Sequence, residues 1–382
     1  MSAARGGPAS ATQAPREVNV AAIERELEGL WRASAAVADP EHPVFRACMS
    51  NLLVVCRSDQ EAGVVMGELP EILARHPARA FVLVADEAAG GDDIDAYVAA
   101  HCHMREGGQV CGESVTLLGR GAAVRRLPST VRSLLVGDLS TTLWWATPEA
   151  PALGGALYTE LAAMSNQIIF DSLGWLEPVR SMAATSRLLG NGPGGPGGHS
   201  GHPLLTDVCW RRLRGWRRIL SQGLDPTFAP GTLEHATELS LEHGPHALTQ
   251  AWLLVGWLAC RLGWKPEAGK VAPGTELSWR FTTRAGRLRV TIHRLAEGAP
   301  EIRSLRLVPA PGRSADPVVA ENLGDGRLTV KSEASGGGVR NLALPLGSRA
   351  SMVARQLSDL APDPLFHATL GVACGMAGSL HQ

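Results

Sequence analysis

The first candidate for chemical function in this sequence is a glycine-rich turn of the kind that binds phosphate. Residues 119–124 read GRGAAV and follow an apolar run, which is where a dinucleotide-binding turn would lie. The third glycine of that pattern is missing, because Val124 occupies its place, and no acidic residue follows at the distance needed to hold a ribose. Arg125 and Arg126 come next, so the segment predicts a turn, with nucleotide or sugar-phosphate binding as the alternative.

The second candidate is a group of potential metal ligands in HCHMREGGQVC at residues 101–111. His101 and His103 would share one face of a strand, and Cys102 would point to the opposite face. Catalytic zinc needs three converging ligands, so we expect no metal site here. The GHSG sequence at 198–201 resembles a serine nucleophile motif but lies in a glycine-rich stretch that could not hold a nucleophile rigid. We therefore predict no catalytic residues, no metal and no cofactor.

The segment LTDVCWRRLRGWRRILSQ, residues 205–222, is the most distinctive candidate for recognition. As one helix it would bury a narrow apolar stripe made of Leu205, Cys209, Leu213, Trp216 and Leu220. Its opposite side would carry Trp210, Arg211, Arg214, Arg217 and Arg218. An indole among guanidinium groups is typical of protein interfaces, so these five are candidate partner-binding residues. The alternative is a solvated face with one partly covered tryptophan.

The stretch DLSTTLWWA, residues 138–146, places Trp144 and Trp145 side by side. In a strand, neighbouring side chains point to opposite faces, so the two indoles cannot enter one core. Either both faces of the strand are covered by other elements, or one indole faces a partner, a ligand or water. Packing favours the first interpretation, and Trp145 is retained as a candidate contact residue under the second.

These residues must be positioned by an N-terminal region in which apolar runs alternate with helical patterns. Strands are predicted at 51–56, 80–86, 113–118, 143–146 and 167–172. Helices are predicted from Val20 to Trp31 and near 60–74, 128–136 and 153–164. Unbroken apolar strands between helices indicate a mostly buried sheet, so residues 20–188 are predicted to form a layered α/β domain after a disordered start at 1–19.

The rest of the chain changes character after a glycine- and proline-rich stretch. Residues 189–204 are predicted to be a linker, and residues 205–382 a C-terminal α+β domain. That domain would hold an apolar helix at about 245–264, an antiparallel meander with turns at Ala285–Gly286 and Asp325–Gly326, and one or two closing helices.

Overall composition excludes several classes of protein. The chain has 382 residues, 45% hydrophobic content and a net charge of −1, so no global field attracts nucleic acid or anionic lipid. The apolar stretch 248–264 carries Arg261 and is short for a membrane span. Seven scattered cysteines without a CxxC motif argue against a disulfide framework and indicate a reducing cytoplasm.

Taken together, these stretches resemble the OpcA-type glucose-6-phosphate dehydrogenase assembly proteins. The resemblance runs from about Ile23 to near the end of the chain. Its most specific part is DLxxxLWW, which includes Asp138, Leu143 and Trp144, combined with a downstream D-x-x-W-x-R-L-x-x-W-R. Further matching stretches are CMSNLLVVC at 48–56, HPARAFVLVAD at 76–86, VCGESVTLLGRG at 110–121, IIFDS at 168–172 with Asp171, and WLLVGWLACRLGW at 252–264.

The resemblance implies a non-enzymatic cytoplasmic bacterial protein that binds glucose-6-phosphate dehydrogenase and promotes its active oligomer. Such a protein would support NADPH production in the oxidative pentose phosphate pathway. A nucleotide- or sugar-phosphate-binding enzyme or sensor that uses GRGAAVRR is the alternative. An enzyme should show a pocket with convergent polar groups at the strand ends, whereas an activator should show an exposed surface of aromatic residues and arginines.

Overall fold

The structure is a computed structural model that describes most of the chain. The described residues are 20–36, 43–106, 108–151, 155–190, 203–272, 274–333, 337–344 and 347–381. The predicted disordered start at 1–19 and the centre of the predicted linker lie outside the described residues.

The first half of the chain builds an eight-stranded sheet. Its strands are β1 Val44–Arg46, β2 Asn51–Cys56, β3 Arg79–Asp86, β4 Ile94–Arg105, β5 Gly108–Arg120, β6 Thr141–Trp145, β7 Gln167–Phe170 and β8 Leu204–Asp207. The hydrogen-bonded order is β1-β5-β3-β2-β6-β7-β8, all parallel, and β4 pairs antiparallel with β5. Helices α1 Val20–Ala36, α2 Asp59–Arg75, α3 Leu127–Leu134, α4 Ala156–Ala163 and α5 Pro178–Gly190 connect or flank these strands.

This sheet is buried on both faces, as its unbroken apolar strands predict. Every residue of β2 and of β6 is buried. The side chain of Ser58 caps α2 by accepting a hydrogen bond from the amide of Glu61 at 3.2 Å, and the buried residues of that helix cover one face of the sheet. The α/β prediction for the N-terminal region is confirmed.

The second half of the chain builds another eight-stranded sheet. Its strands are β9 Ala236–His243, β10 Lys265–Val271, β11 Glu276–Thr283, β12 Gly286–Arg294, β13 Ile302–Pro309, β14 Val318–Asn322, β15 Arg327–Ser332 and β16 Val339–Ala343. Their order is β10-β11-β12-β9-β13-β14-β15-β16. The predicted simple meander is wrong in one respect, because β9 inserts between β12 and β13 and runs parallel to β12.

The helices described in the second half of the chain are α6 Val208–Arg212, α7 Arg214–Gly223, α8 Leu248–Leu262, α9 Arg349–Leu357 and α10 Pro364–Gly378. Of these, α7, α8 and α10 contact strands of the second sheet, whereas α9 contacts α2 and α6. The predicted apolar helix is confirmed as α8, which is buried from Thr249 to Ala259. At Gly256 a Cβ atom would lie 2.9 Å from the carbonyl oxygen of Thr369, so glycine permits the close packing of α8 against α10. None of the helices within the described residues is both long and apolar enough to cross a bilayer.

The two halves of the chain are interleaved. Strand β8 follows the predicted linker but pairs with β7, so it completes the first sheet and the predicted boundary before residue 205 is too early. Near the C-terminus, α9 packs on α2 and α10 packs on α5. The sequence could not show this return, because an apolar helix face does not indicate which sheet it covers.

Candidate functional site

The arginine-rich segment begins as a strand rather than as a helix. The predicted single helix over 205–222 is wrong: β8 ends at Asp207, α6 follows, and Leu213 separates α6 from α7. The Asp207 carboxylate accepts a hydrogen bond from the amide of Cys209 at 2.8 Å and thereby caps α6. Leu213 keeps right-handed helical dihedrals, and both short helices place arginines beside one cavity.

The apolar stripe predicted for this segment is buried. Leu205, Cys209, Leu213, Trp216 and Leu220 all belong to the main hydrophobic core, although Leu205 lies in β8. Helix α7 lies close to the second sheet, because a Cβ atom at Gly215 would collide with the side chain of Leu344. The stripe therefore anchors the segment against both sheets.

Trp210 was predicted to be a partner-binding residue on the arginine side, but its side chain is buried. Only 6% of the residue is exposed. Its indole N–H donates to Oδ2 of Asp363 at 2.9 Å, and Cζ of Arg217 lies 3.5 Å from the ring centroid. The ring also contacts Phe366, with centroids 5.8 Å apart. The Trp210 indole therefore has a structural role. Phe366 of α10 and Asp363, which caps that helix, cover the side of Trp210 that the helical pattern of the sequence leaves exposed.

The arginines of the segment divide into paired and unpaired groups. Arg211 forms an ion pair with Asp359 at 2.6 Å and donates to Gln356. Arg212 donates to both oxygens of Asp171 at 2.5 and 2.9 Å, so the predicted motif residue Asp171 holds α6 to the end of β7. In the part of the chain that the structure describes, Arg214, Arg217 and Arg218 have no carboxylate within ion-pair distance.

These side chains surround a cavity of about 470 Å³, hereafter the arginine cavity. Its arginines are Arg211, Arg212, Arg214, Arg217, Arg218 and Arg355. The apolar part of its wall includes Leu342 and Leu344, which lie in and just after β16, and Met352 of α9. Thr206 and Asp207 also line it, so it lies beside the carboxyl end of β8. Arg355 was missed by sequence reasoning, because α9 is far from α7 in sequence and no local pattern links them. Arg212 belongs to the arginine segment itself but was not among the predicted partner-binding residues.

Burial alters the acid–base properties of two groups in the cavity wall. Loss of hydration lowers the pKa of Arg217 to about 10, with Arg214 adding to the decrease and Asp363 opposing it. Complete burial raises the pKa of Asp207 to about 7, and the charge of Asp171 acts in the same direction. Hydrogen bonds from the Ser172 hydroxyl at 2.6 Å and amide at 3.0 Å oppose that rise. Both Asp207 oxygens therefore have partners within the protein.

The paired tryptophans of β6 are buried on opposite faces of the first sheet. Trp144 is fully buried against α2 and α9, and Cζ of Arg349 lies 5.2 Å from the centroid of its ring. Trp145 is 6% exposed and packs edge-to-face on Tyr158, with centroids 5.8 Å apart. The interpretation with both faces covered is confirmed. The idea that Trp145 presents its indole to a partner is not supported, because α4 covers it.

The remaining residues of the DLxxxLWW motif have structural positions. Asp138 lies exposed in the turn before β6 with φ of 63°, a left-handed conformation that aspartate adopts more readily than most residues. Leu143 is fully buried in the main core. The motif thus combines a tight turn with a strand that is covered on both sides.

The GRGAAVRR segment does not form an open phosphate loop. Residues 121–126 form a 3₁₀ helix that leads into α3. Arg120 forms an ion pair with Asp95 at 3.0 Å, and Arg126 lies 3.6 Å from Asp92. The predicted turn is supported, and the cationic groups needed for the nucleotide alternative are largely paired.

The histidine and cysteine group also has a structural explanation. Strands β4 and β5 place Cys102 directly opposite Cys111, and the two form a disulfide. His101 shares a hydrogen bond with Ser114 at 2.8 Å. No group of three or more potential metal ligands occurs within the described ranges. Linear spacing did not reveal this disulfide, because the pairing depends on the register of the β4–β5 hairpin. The cysteine pattern therefore no longer supports the prediction of a reducing compartment.

Known proteins match both halves of the chain. Residues 70–187 match the family described as glucose-6-phosphate dehydrogenase subunit N-terminal domain, and residues 203–370 match the corresponding C-terminal domain. The second match contains every residue that lines the arginine cavity.

Curated relatives and solved structures extend this comparison. The cyanobacterial OxPP cycle protein OpcA of Nostoc punctiforme is 31% identical over 201 residues, covering 51% of this chain and 40% of the relative. The namesake of Synechococcus elongatus is 28% identical over 207 residues, covering 53% and 43%. The chain thus spans about two fifths of the length of these relatives.

Glucose-6-phosphate 1-dehydrogenase from Mycobacterium avium aligns over 87% of this chain and 90% of its own, with 10% identity and a TM-score of 0.43. Gal80p from Saccharomyces cerevisiae aligns over 88% of this chain and 96% of its own, with 7% identity and a TM-score of 0.49. On the strength of the two family matches and the curated relatives, the chain belongs to the OpcA family of glucose-6-phosphate dehydrogenase assembly proteins.

Proposed function

We propose that this protein binds glucose-6-phosphate dehydrogenase, promotes its active assembly and catalyses no reaction of its own. The observation that carries the proposal is the pair of family matches over residues 70–187 and 203–370. The role of the relatives in the oxidative pentose phosphate cycle, as their name states it, supports the same pathway.

An assembly factor of this kind acts through differential affinity. A ligand shifts an equilibrium only to the extent that it binds one state better than another. If the protein binds the active oligomer of the dehydrogenase more tightly than the less active state, the oligomer gains population at the same enzyme concentration. This mechanism requires a stable, folded docking surface and no reacting group on the activator.

The environment of the thiols supports a non-enzymatic role. Burial raises the pKa of Cys56 and of Cys374 to about 12, and burial raises the pKa of Cys209 as well. A thiol with a raised pKa is protonated at neutral pH and is a weak nucleophile. These three cysteines are therefore core residues rather than catalytic groups.

Fewer of the predicted partner-binding residues are available for docking than the sequence indicated. Trp210 and Trp145 are buried, and Arg211 is held by Asp359. Arg214 and Arg218 are exposed and lie at the cavity. If the segment contacts the dehydrogenase directly, these two arginines are the side chains that remain available.

Complex formation tests the proposal directly. Purified dehydrogenase from the same organism is analysed by size-exclusion chromatography with light scattering, alone and after addition of this protein. We expect a species whose mass contains both chains and whose dehydrogenase content corresponds to the active oligomer. A dehydrogenase peak of unchanged mass at every mixing ratio would refute the proposal.

A further inference from the structure

The arginine cavity holds more positive charge than its own carboxylates neutralise. Six arginines line it, together with Asp207, Asp359 and Asp363. The carboxylates are already engaged: Asp359 pairs with Arg211, and Asp363 accepts hydrogen bonds from the Trp210 indole and from the Phe366 amide, both at 2.9 Å. Within the described part of the chain, Arg214, Arg217, Arg218 and Arg355 have no carboxylate within ion-pair distance.

The position of Arg217 strengthens this imbalance. Its guanidinium is largely removed from water, donates to the carbonyl oxygen of Trp210 at 2.7 Å and lies over that indole. The neighbouring Arg214 carries the same charge and opposes ionisation of Arg217. Like charges that are close together and partly desolvated favour binding of an anion between them.

The chemistry of the wall selects among anions. A guanidinium group has five N–H donors in a planar fork that matches phosphate oxygens, and four unpaired groups offer more donors than the two oxygens of one carboxylate can accept. Arg217 covers one face of the Trp210 ring, and Phe366 is 1% exposed, so neither aromatic ring that lines the cavity is open for stacking a nucleobase. Partly exposed Leu342, Leu344 and Met352 can contact a small carbon skeleton.

We propose that the arginine cavity binds a small phosphate ester, with Arg214, Arg217, Arg218 and Arg355 as its phosphate ligands. The cavity volume of about 470 Å³ suits a small ligand of this class. The cavity lies between α7, which contacts the second sheet, and α9, which packs on α2 beside the first sheet. A bound ligand would therefore connect elements of both sheets. This site goes beyond the proposed assembly role and does not depend on it.

Calorimetric titration of the purified protein, without dehydrogenase, tests the proposal. The probes are inorganic phosphate, glucose 6-phosphate, citrate as a carboxylate and glucose as the neutral parent sugar. The test variant is Arg214→Gln combined with Arg218→Gln. The matched control is Arg287→Gln combined with Arg289→Gln, which removes two exposed arginines from β12, away from the cavity.

We expect saturable binding of glucose 6-phosphate, weaker binding of inorganic phosphate, and no binding of glucose. The test variant should bind about tenfold more weakly or worse, with unchanged melting, and the control should bind like the natural protein. Three outcomes would overturn the proposal: no saturable binding of either phosphate at millimolar concentration, tighter binding of citrate than of glucose 6-phosphate, or equal losses in both variants. Since no dehydrogenase is present, failure here leaves the assembly proposal unaffected.

Discussion

Asp207 combines complete burial with a capping role, and these two properties make it sensitive to pH. Burial raises its pKa from 3.8 to about 7, although three hydrogen bonds from Ser172 and Cys209 favour the charged form. Because the folded-state pKa exceeds the unfolded-state value, the folded protein holds this proton over a wider range. Protonated Asp207 makes its full contribution to the free energy of unfolding at pH values below the unfolded-state pKa. This contribution is lost as the pH rises from about 4 to about 7.

The variant Asp207→Asn tests this assignment, because the amide keeps an oxygen acceptor for the Cys209 N–H and cannot ionise. We expect the variant to gain stability relative to the natural protein between about pH 5 and about pH 8. Urea unfolding of both proteins at the two pH values measures the difference. A difference that does not change with pH would show that Asp207 keeps the same protonation state throughout.

At the same scale, Trp210 and its exposed arginine neighbours should behave in opposite ways. Trp210→Ala removes a buried indole and its hydrogen bond to Asp363, so we expect a loss of about 3 kcal/mol or more in the free energy of unfolding. Arg214→Gln combined with Arg218→Gln removes exposed charges and should change stability by less than about 0.5 kcal/mol per residue. Thermal and urea unfolding of the two variants decide the matter. Similar losses in both would contradict the division between the buried indole and the exposed arginines.

Among the elements, β6 is a strand that is covered on both faces and carries a large buried side chain on each. Both indole N–H groups of Trp144 and Trp145 are buried without a hydrogen-bond partner among the described residues, so the rings serve packing. We expect Trp144→Ala and Trp145→Ala each to cost about 3–5 kcal/mol of stability. Phenylalanine keeps most of the apolar contact and lacks the unpaired N–H, so Trp145→Phe is the matched variant and should cost clearly less. Urea unfolding of the four proteins measures this order.

Activation assays on the same variants separate folding from docking. If Trp145→Ala remains folded, as judged by its melting transition, and no longer activates the dehydrogenase, then β6 has a functional role that its burial does not explain. Loss of activation that follows loss of folded protein supports the packing role.

The elements also show which features local sequence could predict. The strands β2, β3, β6 and β7 and the helix α8 were predictable, because unbroken apolar runs and their lengths depend on local burial. The break at Leu213 was not, because each turn of the arginine segment fits the helical pattern. The cavity was not predictable either. Arg355 lies in α9, far from α6 and α7 in sequence, and contacts between distant segments leave no periodic pattern in the sequence.

For the whole molecule, the proposed function requires that the dehydrogenase alone oxidises glucose 6-phosphate. We expect the purified protein, incubated with NADP and glucose 6-phosphate without dehydrogenase, to form no NADPH. Absorbance at the wavelength of the reduced cofactor measures this. NADPH formation that persists through repurification, and that disappears in Asp207→Asn, would instead assign an active site to the arginine cavity.

If this protein docks on the dehydrogenase, the interleaved architecture allows the docking surface to span both sheets. Helices α9 and α10 pack on α2 and α5, so parts of the chain that are distant in sequence are held in one arrangement. A surface built in this way depends on the integrity of both cores, and destabilising substitutions in either sheet should weaken activation indirectly. For this reason activation must be compared among variants with equal melting temperatures.

The proposed assembly role is tested most directly by the specific activity of the dehydrogenase as a function of added protein. The dehydrogenase is held at a concentration where it is partly dissociated, and its initial rate is measured while this protein is titrated. We expect a saturable increase in rate that parallels the appearance of the larger oligomer. This increase should disappear as the enzyme concentration rises and assembly becomes spontaneous. A rate that stays constant across the titration, although the protein is folded, would contradict the proposed assembly role.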